Sequence, residues 1–439
     1  MLVPYDMNGQ IVGVLGLGGS GIAAVAALQA AGAHVVAFDD EKHQHDLPAI
    51  HMTDWRDWPW LEVAAMVISP GIPHFHPKPH PAAAHANSLQ IEVISEVELA
   101  LRAKPQARLI VVTGTNGKST TTALIGHCLS TARRAHAIGG NLGDPACSLN
   151  DPGKDGVLVL ELSSYQLETT PSLAPDISIL LNISPDHLDR HGGMKGYIAA
   201  KTVVLDRLRT DCLAIIGDGD EHVKMLAAAT RKRGIKTMIA SPDDAPDAQR
   251  QSASLAGLHN AENAAAAAFA LAALGLDIAM INRGVKGYTS LPHRLQTVAR
   301  CGKIQFVNDS KATNGVAAAK ALSAFDDIYW VAGGLAKHDG LAPAMEYLGA
   351  VKKAYLIGAA ATEFAKSLDG QCPVAICGDL EKATRAAFDD ASAAVDGGTI
   401  LLAPAAASFD QFASFGARGD AFAALAQNLC ATAAGGNHA

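Results

Sequence analysis

Residues 114–121, Gly114-Thr115-Asn116-Gly117-Lys118-Ser119-Thr120-Thr121, follow an apolar stretch at 108–113 (RLIVVT) and precede a helical pattern running through Leu129. A glycine-bearing loop between a strand and a helix turns successive backbone N–H groups toward phosphate oxygens. Lys118 would set its ammonium beside a transferred phosphoryl group, and Ser119 would offer an oxygen to Mg²⁺. The strict phosphate-loop pattern asks for glycine at position 112, where this chain has Val112. The Gly-Lys-Ser core and its setting are intact, so the segment is read as the ATP loop of a particular subgroup.

Two further strand ends carry chemistry. The run 157–160 (VLVL) delivers Glu161, followed by Ser163, Ser164, Tyr165 and Gln166. A carboxylate there suits Mg²⁺, which prefers hard oxygen ligands. The run 177–181 (ISILL) leads into Asn182-Ile183-Ser184-Pro185-Asp186-His187-Leu188-Asp189-Arg190-His191. Parallel strands would bring all three ends to one nucleotide site. Taken alone, His187 reads as a capped turn. Lys201, four residues after Tyr197 on a predicted helix, reads on spacing alone as a solvated lysine. Gly257-Leu258-His259-Asn260-Ala261-Glu262-Asn263 opens a very Ala-rich helix, and its asparagines suit either a helix cap or a nucleotide contact.

Near the N-terminus, an apolar strand at 10–15 enters Gly16-Leu17-Gly18-Gly19-Ser20-Gly21, with a helix expected over Ile22–Ala31. Glycines at these spacings let a diphosphate approach the helix N-terminus. A second strand, 34–38 (HVVAF), ends in Asp39-Asp40-Glu41, at the distance where a dinucleotide fold places its ribose-binding acid. A dinucleotide, another nucleotide and a purely structural turn all remain open on this segment. A third strand, 64–68, runs into Ser69-Pro70-Gly71-Ile72-Pro73, either a ligand loop or a plain turn. The His- and Pro-rich run 74–85 reads as surface loop, without metal-ligand spacing.

The C-terminal third repeats the alternation. Pro292-His293-Arg294 marks a boundary. Strand 304–308 (IQFVN) enters Asp309-Ser310-Lys311-Ala312-Thr313-Asn314, and strand 328–332 enters Gly333-Gly334-Leu335-Ala336-Lys337. On local grounds Asp309 and Lys311 make a loop ion pair. A lysine such as Lys337 would suit a carboxylate ligand through a charge-assisted hydrogen bond.

These segments need a large α/β scaffold, and the composition supplies one. The chain has 439 residues, with 49% hydrophobic but only 5% aromatic, so Ala, Val, Leu and Ile must build the core. A formal charge of -8 argues against binding nucleic acid through phosphate neutralisation. Seven cysteines without a CxxC pair read as reduced thiols in a cytoplasm. No leader pattern and no clean apolar stretch of about 20 residues is found, so a soluble, unprocessed protein without membrane insertion is expected.

Together, the 114–121 loop, the Glu161-Leu-Ser-Ser-Tyr-Gln block, Asp186-His187-Leu188-Asp189-Arg190-His191 and Lys201 resemble the central domain of the Mur ligases and their folylpolyglutamate synthetase relatives. Asp309-Ser310-Lys311-Ala312-Thr313-Asn314, with Ala407-Ser408-Phe409-Asp410-Gln411-Phe412, Phe415 and Arg418-Gly419, resembles the D-glutamate-adding branch. The resemblance implies three α/β domains: a Rossmann-like one at 1–96 for the UDP substrate, a central P-loop-type ATPase with a mostly parallel sheet at 97–291, and a Rossmann-like amino-acid domain at 292–439.

The activity it implies is ATP-dependent amide ligation. The carboxylate of UDP-N-acetylmuramoyl-L-alanine would pass through an acyl phosphate to D-glutamate, with two Mg²⁺, in a cytoplasmic enzyme expected to be a monomer. Residues 114–121 with Asn260, Asn263, Arg294 and Asp309 would bind ATP. Gly19, Ser20, Asp40, Ser69, Gly71, Asn141 and His187 would bind the UDP substrate, and Lys311, Thr313, Lys337, Ser408, Phe409 and Phe415 the amino acid. The resemblance makes Ser119, Glu161, His187 and Lys201 as a carbamate the metal ligands, and Lys118, His187 and Lys201 the catalytic groups. Where the family often carries Thr-Arg beside the uracil, this chain has Asp40-Glu41. Ala403-Pro404 and Ala406 likewise replace a Ser-Pro and a Cys. Outside the resemblance, an NAD-dependent oxidoreductase would use Gly16–Gly21 with Asp39, and a nucleotide-sensing switch would keep only the central loop.

Overall fold

In the N-terminal segment, short runs of Val, Ile, Leu and Ala between turn residues form fully parallel strands. The order is His51–Met52, His34–Phe38, Ile11–Leu15, Val63–Ile68, Glu92–Ile94. Strand order reverses at Ile11–Leu15, and in open sheets of this kind ligands bind at that crevice, beyond the carboxyl ends. The computed structural model describes residues 1–40, 51, 52, 54–336 and 340–435.

A second sheet has six strands, ordered Lys236–Ala240, Leu213–Gly217, Ile177–Leu180, Arg108–Thr113, Val157–Glu161, His136–Gly140, again all parallel. Its central strands are buried on both faces, which is why they read as unbroken apolar runs. Here the order reverses at Arg108–Thr113, so the loop at 114 leaves from the switch point.

These two sheets belong to one compact unit, Met1–Gln249 with Glu262–Gly287. Helix Glu96–Arg102 ties them together. Ser95 caps it by accepting from Glu98 N and bonds Thr170 Oγ1 at 2.8 Å, while the Glu96 carboxylate accepts from Ala146 N at 3.3 Å and Cys147 N at 3.1 Å.

The second unit comprises Arg250–Ala261 and Tyr288–Ala439. Its six strands run Gln296–Cys301, Ile304–Asn308, Gly398–Leu402, Ile328–Gly333, Val351–Ile357, Val374–Gly378; only the first pair is antiparallel. A small antiparallel pair, Leu335–Ala336 with Ala406–Ala407, sits at the carboxyl end of this sheet. The chain is thus α/β with mostly parallel sheets, Rossmann-like at both ends.

Two expectations need correction. The first helix spans Gly19–Ala30 rather than starting at Ile22, because Gly19-Ser20-Gly21 are themselves its first turn. Cys301 and Cys430 form a disulfide, so reduced thiols hold for Cys128, Cys147, Cys212, Cys372 and Cys377 but not for all seven. The packing of the C-terminal helix Phe415–Gly435 against edge strand Gln296–Cys301 brings the pair together across 129 residues.

Candidate active site

The loop after Arg108–Thr113 is held in shape from several sides. Gly114 and Gly117 have φ of +149° and +88°, the region where a Cβ is costly, and a Cβ on Gly117 would lie 2.2 Å from Asn263 Oδ1. Asn116 and Asn182 exchange two hydrogen bonds: Asn116 N donates to Asn182 Oδ1 at 2.9 Å, and Asn182 Nδ2 to Asn116 O at 3.0 Å. Thr115 Oγ1 meets Ser184 O at 3.1 Å and Tyr197 Oη at 3.0 Å, and accepts from Ser184 N at 3.0 Å. Each such bond contributes about 1 kcal/mol net, and leaving a buried partner unpaired costs about 1–3 kcal/mol, so the loop has little freedom to collapse.

Helix Lys118–Thr131 begins directly at this loop, with Ser119 and Thr121 buried in its first turn beside Thr120. Asn116 Nδ2 and the Thr121 hydroxyl are buried without a hydrogen-bond partner among the described residues. Lys118 Nζ donates to Gly114 O at 2.8 Å and Thr115 O at 2.7 Å. Lys201, on helix Met194–Asp206, donates to the same Gly114 O at 2.8 Å and is 2% exposed. Burial holds its pKa well below the usual lysine range, and the neighbouring Lys118 charge adds to that, against Asp186 and Glu161. The solvated-lysine reading of Lys201 is therefore wrong: the helix turns it into the site.

Glu161 ends its strand 1% exposed. Its Oε1 accepts from Asn141 Nδ2 at 2.7 Å, while Oε2 is buried with no hydrogen-bond partner among the described residues. A buried, half-satisfied carboxylate beside a phosphate loop is a donor set that fits a hard divalent cation. His187 sits in the left-handed region at φ 52°, with Nε2 3.4 Å from Asp186 Oδ2 and its ring 5.4 Å from that of Tyr165. His191 is fully enclosed, between Glu168 Oε1 at 3.0 Å and Ser164 Oγ at 2.9 Å.

At the N-terminal sheet, Gly16 has φ +89°, and a Cβ on Gly21 would lie 1.9 Å from Gly16 O, so both positions require glycine. Leu17 N donates to the Asp39 carboxylate, and Ser69 Oγ donates to Gly16 O at 3.0 Å. Gly18 and Gly19 face open space, and Gly18 is the helix N-cap, so the first N–H groups of the helix lack intrahelical partners, a setting that suits an anion. Asp40 pairs with His80 Nε2 at 3.0 Å, while Glu41 lies outside the described residues.

The second unit carries the remaining candidates. Asp309 Oδ1 accepts from Leu295 N at 3.1 Å; desolvation pushes its carboxyl up to about 7, opposed by that bond and by Arg294. Lys311 Nζ lies 3.9 Å over the Phe415 ring, a cation–π contact. Arg418, 1% exposed, donates to Ser310 Oγ and Ser310 O at 2.9 Å each and to Ala406 O at 3.1 Å. It thereby joins the 309–314 loop, which holds Thr313, to the segment leading into buried Ser408. Phe409 is 74% exposed, and Lys337 lies outside the described residues. Asn260 Nδ2 bonds Ala256 O at 2.9 Å. Asn182, Tyr197 and Arg190 carry much of this geometry and were given no role from sequence; only the strand-end position of Asn182 could have signalled one.

Residues 112–271 match the Mur ligase middle domain, and residues 293–406 match the Mur ligase glutamate ligase domain. A UDP-N-acetylmuramoylalanine--D-glutamate ligase of Caulobacter sp. (strain K31) is 42% identical over 98% of both chains. The chain belongs to the Mur ligase family. Similar ligases of the same description from Caulobacter vibrioides (strain NA1000 / CB15N), 42% identical over 100% of each chain, and Rhodospirillum rubrum, 41% identical over 99% of this chain and 98% of that one, agree. Among solved structures, UDP-N-acetylmuramate-alanine ligase MurC from Thermotoga maritima covers 95% of this chain and 99% of its own, with TM-score 0.60 at 18% identity. MurF ligase from Thermotoga maritima, in complex with ADP, covers 98% and 97% with TM-score 0.58 at 14% identity. Both share the fold of this Mur ligase.

Proposed function

We propose that this chain is an ATP-dependent ligase joining D-glutamate to UDP-N-acetylmuramoyl-L-alanine in peptidoglycan precursor synthesis. One arrangement carries the ATP-driven part: Lys118 and Lys201 meet on Gly114 O, beside the loop that Asn182 and Ser184 hold open. The acceptor is assigned from full-length relatives, 41–42% identical, that bear this description.

A carboxylate is a poor acyl donor, so the L-alanine carboxylate attacks the γ-phosphorus of ATP and ADP leaves. The amine of D-glutamate then attacks the acyl phosphate, and phosphate departs from the tetrahedral intermediate. Residues 114–121, with Asn263 beside Gly117, hold the phosphates through backbone N–H groups, and Lys118 offsets the negative charge that gathers during transfer. Asn260, Arg294 and Asp309 complete the nucleotide set. Ser119, Glu161, His187 and Lys201 as a carbamate would hold two Mg²⁺, whose positive charge would polarise the phosphoryl oxygens.

The glycine turn at Gly19 and Ser20, with Asp40, Ser69, Gly71, Asn141 and His187, would receive the UDP substrate. Lys311, Thr313, Lys337, Ser408, Phe409 and Phe415 would receive D-glutamate. The ligase is read as a monomer. The nucleotide substrates suit a cytoplasmic enzyme, and no described helix is long and apolar enough to cross a membrane.

The test is phosphate release from ATP with Mg²⁺ and UDP-N-acetylmuramoyl-L-alanine, adding D-glutamate, L-glutamate, meso-diaminopimelate or L-lysine singly. Release that depends on D-glutamate, with a new amide in the product, is expected. Turnover with another amino acid alone would overturn the acceptor assignment, and no turnover with any would overturn the ligase reading.

A further inference from the structure

We infer that Arg190 is a positioning residue that fixes the diphosphate-binding turn relative to the phosphoryl-transfer loop, and so sets where the substrate's carboxylate meets ATP. The inference rests on the ligase reading above. Arg190 lies on the short turn Leu188–His191, three residues after His187. Its guanidinium reaches 119 residues back in sequence: Nη1 donates to Gly71 O at 2.7 Å, and Nη2 donates to Ile72 O at 2.9 Å and Pro70 O at 3.3 Å. The same group lies 4.5 Å over the Tyr165 ring, which holds it from beneath.

Those carbonyls belong to the loop that closes the glycine turn. Ser69, next to Pro70, donates from Oγ to Gly16 O at 3.0 Å and from its backbone N to Leu15 O at 2.9 Å, and a Cβ on Gly16 would meet Ile72 Cδ1 at 2.7 Å. At its other end, the segment carrying Arg190 is bonded to the phosphate loop, Ser184 to Thr115 and Asn182 to Asn116. A continuous path therefore runs from the turn at Gly16, through the 69–72 loop and Arg190, to the residues around Lys118.

Three neutral carbonyls cannot require a charge for its own sake. What suits them is a planar fork with several donors, which arginine has and lysine lacks. A substrate held at its diphosphate end and reacting at its far end depends on this spacing, because misplacement by about 1 Å costs on the order of a hundredfold in rate.

The experiment uses the full chain as wild type, Arg190→Ala and Arg190→Lys. Steady-state kinetics are measured for each substrate, and hydrogen exchange is followed at the amides of residues 69–73. In Arg190→Ala we expect kcat/KM for UDP-N-acetylmuramoyl-L-alanine to fall about fiftyfold, KM for ATP to stay within about twofold, and the loop amides to exchange about tenfold faster. Added ethylguanidinium should restore part of the lost turnover. Arg190→Lys, which keeps stem and charge, should show the same loss in smaller degree; it carries the test if the alanine variant does not fold.

Unchanged loop exchange, or faster exchange with unchanged kcat/KM, would overturn the inference. A KM that rises equally for all three substrates would reduce Arg190 to a structural contact and overturn it as well. If wild type forms no amide, the ligase reading fails, while the exchange measurement still reports whether the clamp exists.

Discussion

Lys118 and Lys201 donate to one oxygen, the carbonyl of Gly114, each at 2.8 Å. Two ammonium groups on one carbonyl repel, and Lys201, the more deeply buried, is the one whose pKa burial depresses. The sign is that of a lysine lowered below its ordinary 10.5: as pH falls, the folded chain takes up this proton later than the unfolded chain, so the amine keeps its lone pair into a lower pH range. A neutral amine attacks CO₂ at carbon and releases one proton, leaving an N-carboxylate.

The first prediction follows. Protein equilibrated with ¹³C-bicarbonate should show one carbamate carbon resonance that Lys201→Ala lacks. That variant should lose about a hundredfold or more in kcat, the scale of one electrostatic group at a transferring phosphoryl. An unaltered spectrum in the variant would rule out Lys201 as the modified residue.

Gly117 provides a second prediction. A Cβ there meets Asn263 Oδ1 at 2.2 Å on a backbone with φ +88°. Gly117→Ala must either move Asn263 or unwind the loop, at about 1–3 kcal/mol for the backbone alone. ADP affinity, followed by titration calorimetry, should fall by about a hundredfold, and stabilisation of the melting temperature by ADP should vanish. Wild-type affinity in the variant would show that the loop does not hold the nucleotide.

The reach of sequence reasoning is visible at these positions. Strands such as Arg108–Thr113 and Val157–Glu161 are legible because parallel strands buried on both faces read as near-continuous apolar runs and stop at turn residues. The Gly-Lys-Ser loop is legible because phosphate binding uses the backbone, whose path the glycines dictate. Lys201 misleads, since helical spacing says which face a residue occupies but not what that face meets, and its partner Gly114 is 87 residues away. Arg190 and Arg418 act on backbone carbonyls, which leave no mark on side-chain identity. For Cys301 and Cys430, pairing depends on where the last helix packs, which cysteine spacing does not encode.

Arg418 gives a third prediction, in the second unit. Its guanidinium satisfies Ser310 O, Ser310 Oγ and Ala406 O while 1% exposed. Burial lowers its pKa to about 10, offset in part by Asp410, so it stays charged at neutral pH. Arg418→Met would take a donor from each of those buried acceptors, while Ser310 Oγ keeps its bond to Phe415 O, at a cost of about 3 kcal/mol or more. The urea midpoint reported by buried Trp330, in the same unit, should fall, and KM for D-glutamate should rise about tenfold as the 309–314 loop loosens. An unmoved midpoint would show that water or rearrangement replaces the guanidinium.

Glu96 supplies the last. It lies 1% exposed between the two sheets of the first unit, and burial pushes its carboxyl from 4.5 up to about 7, against two backbone N–H bonds that pull it down. Between these values the folded chain holds a proton that the unfolded chain has released. Stability contributed by this group is therefore full below about 4.5, declines as pH rises and levels off above about 7, with a total of roughly 3 kcal/mol as a ceiling. Asp309, also raised to about 7, tilts the second unit the same way, so the Glu96 part must be read as a difference between variants. Glu96→Gln stays neutral at every pH and keeps one acceptor for the Ala146 and Cys147 N–H groups. Urea midpoints should be taken from pH 4.5 to 8 in a Trp330→Phe background, where the emission comes from Trp55, Trp58 and Trp60 in the first unit. The chain with Glu96 should lose stability up to about pH 7 and level off beyond it, and Glu96→Gln should lose less. Parallel curves would mean that Glu96 ionises in the fold as easily as in water, and that the seam between the two sheets is wetter than its packing implies.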